Sequence, residues 1–288
     1  MNGATFCGIL FGMEKIDFSV VVLTHNNLIC RYGILAEELD LLTRQKGVNL
    51  EILVVDNFSE PKSKSWLKGV VKICATKAKV RLIENDRDNL SRGRNLGAKK
   101  AKGEYIVFMD DDMLTFDPYT FLKLKKLSAG KIYGYSATRL WTKPEWLEIF
   151  RLKGSPIAEI NEDFEKFCAE PSGLVRGKDD NKRLVRTYIG NFGFVKKEAL
   201  KSVGWWDERY IGYGKEDNDL CLRMLLKFGK PELISPIKVA HLWHTILQKD
   251  YNELDENAVR YQKVLNGFGV KKLDMSKVLY GEDGIDYL

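Results

Sequence analysis

Between Asp17 and Met113 the chain alternates short apolar runs with longer stretches in which apolar residues recur every three or four positions. Asp17-Phe-Ser-Val-Val-Val-Leu-Thr24 is β-branched and apolar nearly throughout, the pattern of a strand covered on both faces in a parallel sheet. His25-Asn26-Asn27 breaks the run. Leu35, Leu39 and Leu42 then mark one face of a helix predicted from Ile34 to Arg44 and closed by Gly47. Further strands are predicted at Leu50–Val55, Val80–Ile83 and Tyr105–Met109, with helices over Pro61–Ala75 and Ser91–Ala101. This alternation implies an α/β fold with a doubly wound, mostly parallel central sheet and flanking helices, whose ligands gather at the carboxyl ends of the strands.

The second half is less regular. Helices are predicted at Tyr119–Leu127, Lys197–Val203 and Leu220–Phe228, and strands at Lys131–Thr138, Thr187–Val195 and Pro236–Ala240. Residues 141–185 carry scattered Trp, Pro and charge and follow no period, which suits a substrate loop. The expected organisation is an extension at 1–15, one α/β domain at 16–247 and a charged tail at 248–288, helical to about Leu265. The domain divides into a ligand-binding half at 16–113 and a second half at 114–247.

Composition narrows the partners. The 46 basic and 40 acidic residues give a net charge of +6, dispersed along the chain, which is no footprint for nucleic acid. The five cysteines form no Cys-x-x-Cys pair, so a reducing, cytoplasmic setting is expected. No uncharged apolar run is long enough to cross a bilayer. Peripheral contact with a membrane surface is compatible with the basic Lys271-Lys272 segment.

The chemistry concentrates where strand turns to loop. Tyr105-Ile-Val-Phe-Met109 runs into Asp110, Asp111 and Asp112, and three like charges at one strand end repel unless a cation or several donors neutralise them. A hard divalent ion such as Mn2+ or Mg2+ would do so; a solvated turn with a capping aspartate is the plainer reading. Asp56 and Thr24 end neighbouring strands and can face the same cleft. Arg92 and Arg94, on the preceding helix, are placed to meet negative charge, so the cleft suits a diphosphate carried by a metal. Glu216 and Asp217 precede a predicted helix, where the dipole favours carboxylates. His244, or alternatively His241, could add a nitrogen ligand to an oxygen-rich shell.

The run of Phe18-Ser-Val-Val-Val-Leu-Thr-His-Asn-Asn27, Leu53-Val-Val-Asp-Asn-Phe-Ser59, Arg94-Asn-Leu-Gly97, Gly103-Glu-Tyr-Ile-Val-Phe-Met-Asp-Asp-Asp112, Trp206-Asp-Glu208 and Gly214-Lys-Glu-Asp-Asn-Asp-Leu220 resembles glycosyltransferase family 2, over roughly residues 16–247. The resemblance implies a GT-A fold and inverting, metal-dependent transfer of a sugar from a nucleoside diphosphate donor, a UDP-sugar first of all, to an acceptor hydroxyl on a glycan or lipid-linked sugar. By position it implies Asp56 on the nucleobase, Thr24 beside it, and Arg94 near the phosphates. Asp110 and Asp111 fall in the donor site, with Asp110 also reaching the metal and Asp112 bound directly to it. Asp217 becomes the base, Glu216 an orienting group and His244 a metal ligand. Trp206 and Tyr213 are candidates for the acceptor side, and Asp111 is the expected expendable member of the triplet. His25 and Asn57-Phe58 depart from the family's usual residues at the base site. A non-catalytic nucleotide-sugar or glycan-binding module, and a sugar-nucleotide pyrophosphorylase, are the competing readings. The latter normally opens with a Gly-rich basic loop, which Thr24-His-Asn-Asn27 is not.

Overall fold

Val20 and Val22 pack on one side of the first strand and Val21 and Leu23 on the other, so strand alternation feeds two separate cores. The computed structural model describes residues 15–31, 33–142, 168–169, 190–242, 251–274, 278 and 284–288. Strands β1 (Phe18–Thr24), β2 (Leu50–Asn57), β3 (Lys79–Asn85) and β4 (Tyr105–Asp110) form the parallel block. Helices α1 (Asn27–Cys30), α2 (Leu35–Thr43), α3 (Pro61–Ala75) and α4 (Leu90–Lys100) connect them. Residues from α2 and α3 pack with Val20, Val22, Ile52 and Val54; Ala98 of α4 packs with Val21, Leu23, Leu53 and Val55.

The sheet continues through β5 (Met113–Leu114), α5 (Thr120–Ser128), β6 (Tyr133–Thr142), β7 (Cys168–Ala169), β8 (Gly193–Lys196), α6 (Lys197–Ser202), α7 (Glu216–Phe228) and β9 (Glu232–His241). Among the described residues it has nine strands in the order β3-β2-β1-β4-β8-β6-β9-β5, with β7 paired to β6. The chain winds outward from β1 to β3 and returns to β4 on the other side of β1, so a crevice opens outside the ends of β1 and β4. Leu23 lies opposite Asp110 and Thr24 opposite Asp56 in the register, which gathers the strand-end polar residues on one edge.

The predicted strands and helices of residues 17–113 are all present, and the mostly parallel expectation holds for their block. Antiparallel β8 interrupts it, pairing with β4 on one side and β6 on the other. The last strand begins at Glu232 rather than Pro236. Its ladder with β6 shifts register between Ser136 and Thr138, opposite the proline, which has no N–H to donate. α7 begins at Glu216, so the Glu-Asp pair lies inside its first turn rather than before it.

Beyond 250, Leu265 of α8 (Tyr251–Gly267) and the following Val270 pack with Leu222 of α7. α8 leads into a hairpin of β10 (Val270–Leu273) and β11 (Ile285–Tyr287) that the sequence pattern did not predict. No helix among the described residues is long and apolar enough to cross a membrane.

Candidate functional site

Gly93 and Gly97 let α4 settle onto β1, because a Cβ at either would stand 2.5 Å from Leu23 or 2.4 Å from Val21. That close approach carries Arg94 under the protein surface, 5% exposed. Its Nη2 donates to Asp110 Oδ1 and its Nη1 to Glu216 Oε1, both at 3.3 Å. The guanidinium stacks over Trp206 at 4.6 Å. Burial opposes its charge, but Asp217, Asp110 and Glu216 outweigh burial and raise its pKa. Arg92 turns elsewhere, to Asp86, Asn85 and Glu208, so of the two arginines only Arg94 meets the triplet.

Asp217 is partly buried and accepts a hydrogen bond from Gly190 N–H at 3.2 Å. Burial raises its pKa most; Arg94 pulls it down, and Glu216 and Asp110 push it up, leaving it at about 7. A carboxylate of that affinity accepts and releases a proton near neutrality. Glu216 is itself buried and accepts from Gly214 N–H at 3.0 Å. Arg94, Asp110, Glu216 and Asp217 therefore form one electrostatic unit drawn from three elements.

The triplet divides unequally. Asp110 closes β4 with about a quarter of its side chain accessible. Asp111, the expected expendable residue, is 2% exposed and holds the strand ends together. It accepts from Thr24 Oγ1 at 2.6 Å, from Asn27 Nδ2 at 2.9 Å and from Arg31 Nη1. The sequence reading of Asp111 is corrected accordingly, since its removal would take a shared acceptor from the buried Thr24 and Asn27 side chains and leave Arg31 with Asp112 alone. Thr24 spends its hydroxyl on this bond and so acts here through Asp111.

Asp112 lies between two nitrogen groups: Arg31 Nη2 is 3.2 Å from Oδ2, and His241 Nε2 is 3.5 Å from Oδ1. Leu242 N–H donates to the Asp112 carbonyl at 2.9 Å and fixes β9 against the triplet. His241 is thus the described histidine at the acids, and His244 lies outside the described residues. Among the described residues no three His, Cys, Asp or Glu side chains converge to enclose an ion. The structure brings together one carboxylate and one imidazole here, Asp112 and His241, while Asp110 is held by Arg94.

Asp56 is fully buried at the end of β2, where Oδ1 accepts from Ser59 N–H at 3.1 Å and Oδ2 lies 3.7 Å from Lys64 Nζ. His25 bonds the Asn57 carbonyl at 2.8 Å, and Asn26 accepts from Glu60 N–H at 2.7 Å, so the loops after β1 and β2 are tied together. Phe58 sits at that junction, 55% exposed and with φ of 64°.

Trp206 does not offer an acceptor platform. It is 2% exposed, set edge-on to Phe108 at 5.4 Å and capped by Arg94, and Asn95 pins its backbone at both N–H and C=O. Tyr213 is 50% exposed. Two site residues escaped the sequence reading. Arg31 lies one turn after Asn27, and that i,i+4 spacing behind a strand end was the available signal. Glu38, fully buried on α2, has its carboxyl pKa pushed well up by burial and by Asp111, Asp112 and Asp110; an acid beside Leu39 reads as a solvated position.

Residues 19–204 match the family model described as glycosyl transferase family 2. The chain is 26% identical over 230 residues to chondroitin synthase from Escherichia coli, covering 72% of this chain and 32% of that protein. It spans less than a third of the curated relatives it matches. Among solved structures, GalNAc-T7 with UDP, GalNAc and Mn2+ superposes with a TM-score of 0.59 at 15% identity, covering 88% of this chain and 48% of that one. S. aureus TarS 1–349 in complex with UDP gives a TM-score of 0.56 at 15% identity, covering 92% and 70%. At these identities the structural likeness establishes the GT-A fold.

Proposed function

We propose that this chain, which belongs to glycosyl transferase family 2, moves a sugar from a UDP-sugar to an acceptor hydroxyl on a glycan or lipid-linked sugar, inverting the anomeric centre. The observation that carries this reading is the placement of Asp217, bonded to Gly190 N–H beside the Arg94–Asp110–Glu216 cluster, where burial raises its pKa. Asp217 takes the proton from the attacking hydroxyl, which needs a base that is ionised yet basic near neutral pH. Glu216, fixed by Arg94 and Gly214 N–H, orients the sugar or acceptor. Arg94 supplies a buried positive charge beside the diphosphate, where charge grows as the bond breaks. Asp56 and Thr24 line the base-binding edge, and Tyr213 borders the acceptor side.

A divalent cation held by Asp112, Asp110 and His241 or His244 would neutralise the leaving diphosphate. The Mn2+ and UDP in the GalNAc-T7 structure support this choice of metal and donor base. One displacement by the acceptor needs no covalent sugar intermediate, which is why inversion follows.

Thermal-shift and calorimetric titration with UDP, GDP and dTDP, each with and without Mn2+, tests the donor site. UDP with Mn2+ is expected to give the largest stabilisation. The reading fails if none of the three nucleotides binds with Mn2+ or Mg2+. NMR of the product from an α-linked UDP-sugar should show a β-linkage; retention would refute the single-displacement mechanism.

A further inference from the structure

Arg31 grips both of the inner aspartates. Its Nη1 pairs with Asp111 and its Nη2 lies 3.2 Å from Asp112, while about a quarter of its side chain stays open to solvent. The two carboxylates are not equally dependent on it. Asp111 also has Thr24 Oγ1 and Asn27 Nδ2, so it keeps two donors if the guanidinium moves. Burial opposes the charge on Arg31, yet Asp111, then Asp112 and Asp110, overcome that effect and hold it protonated. An ion binding Asp112 must therefore share that carboxylate with a permanent cation.

We propose that Arg31 is a displaceable counter-ion: it weakens metal binding at Asp112 in the donor-free protein and turns to the donor diphosphate when nucleotide arrives, making metal and nucleotide bind cooperatively. The inference deepens the proposed function and rests on it. A guanidinium fork matches phosphate oxygens as well as carboxylate, and the solvent-open part of Arg31 leaves it a path between the two. Coupling of this kind is reciprocal, so whatever nucleotide does for the metal, the metal does for nucleotide.

The test is Mn2+ affinity, read by electron paramagnetic resonance of the free ion, with and without UDP. Arg31→Gln is expected to bind Mn2+ alone roughly tenfold tighter than the wild type, because a like charge has left the site, and the strengthening by UDP should shrink by a similar factor. Arg31→Lys, with one ammonium in place of the fork, should fall between the two and serves if the glutamine variant does not fold. Mn2+ affinity that is unchanged or weaker in the folded variants would overturn the proposal, as would a wild type whose Mn2+ affinity ignores UDP. A wild type that binds neither Mn2+ nor UDP would sink the proposed function itself.

Discussion

Gly190 lies so close to Arg94 that a Cβ built on it would stand 2.6 Å from Nη2. The same glycine donates its N–H to Asp217. Gly190→Ala keeps that donor but pushes the guanidinium out of its position between Asp110 and Glu216. Displacement of about an ångström at a reacting centre can cost on the order of a hundredfold. The variant is expected to lose roughly ten- to a hundredfold in kcat by steady-state assay while its circular dichroism spectrum is unchanged.

Asp217 sets the acid side of the activity profile. Below about 7 it is protonated and cannot act as base, so kcat/KM should fall with decreasing pH through an apparent pKa near 7. Its native pKa lies above the ordinary 3.8, so the folded protein binds more protons than the unfolded chain between these values. Stability contributed by this group therefore declines as pH rises across that window. Asp217→Asn should abolish transfer, raise Tm relative to the wild type at pH 8, and match it near pH 4. An active variant would remove Asp217 from the role of base.

Asp111 and Asp112 should separate stability from metal binding. Asp111→Ala strips Thr24, Asn27 and Arg31 of a shared buried acceptor, and loss of one partner from such a network costs about 3–5 kcal/mol. Chemical denaturation should show that loss directly. Asp112→Asn keeps the shape of the side chain, so it is expected to cost less stability and to weaken Mn2+ binding instead. Chelation of the wild type should stop transfer, and Mn2+ should restore it.

Phe58 combines a left-handed backbone, φ of 64°, with 55% exposure. An L-residue in that region costs about 1–2 kcal/mol, part of which glycine returns as unfolded-chain entropy. Phe58→Gly should raise Tm by about 1–3 °C in a thermal scan, a modest net gain for a chain of this size. A lower Tm would mean that the ring packs more than its exposure indicates.

The parallel block was readable because its signal is local. The β-branched runs of β1, β2 and β4 are apolar on both faces, and every residue of β1 is indeed buried. The Asp110–Asp112 triplet and the Glu216-Asp217 pair also stood out, since consecutive carboxylates need a local reason. What failed was the assignment of individual side chains. Trp206 read as a candidate for the acceptor side because nothing near it in sequence announces that Phe108 and Arg94 enclose it. Asp111 read as spare because its partners Thr24, Asn27 and Arg31 lie 80 or more residues earlier.

The sequence by itself determined the order of strands and helices in the first half, the strand edge on which chemistry collects, and the family to which the chain belongs. Periodicity and strand-end charge are properties of neighbouring residues, and they survive without the fold. Only the tertiary structure decided which carboxylate is held by several donors, which has its pKa raised by burial, and that Arg31 and Arg94 each bind two acids. Those outcomes depend on burial and on charges brought within a few ångströms by the sheet, and the energy of a buried charge is set by its surroundings rather than by its place in the chain.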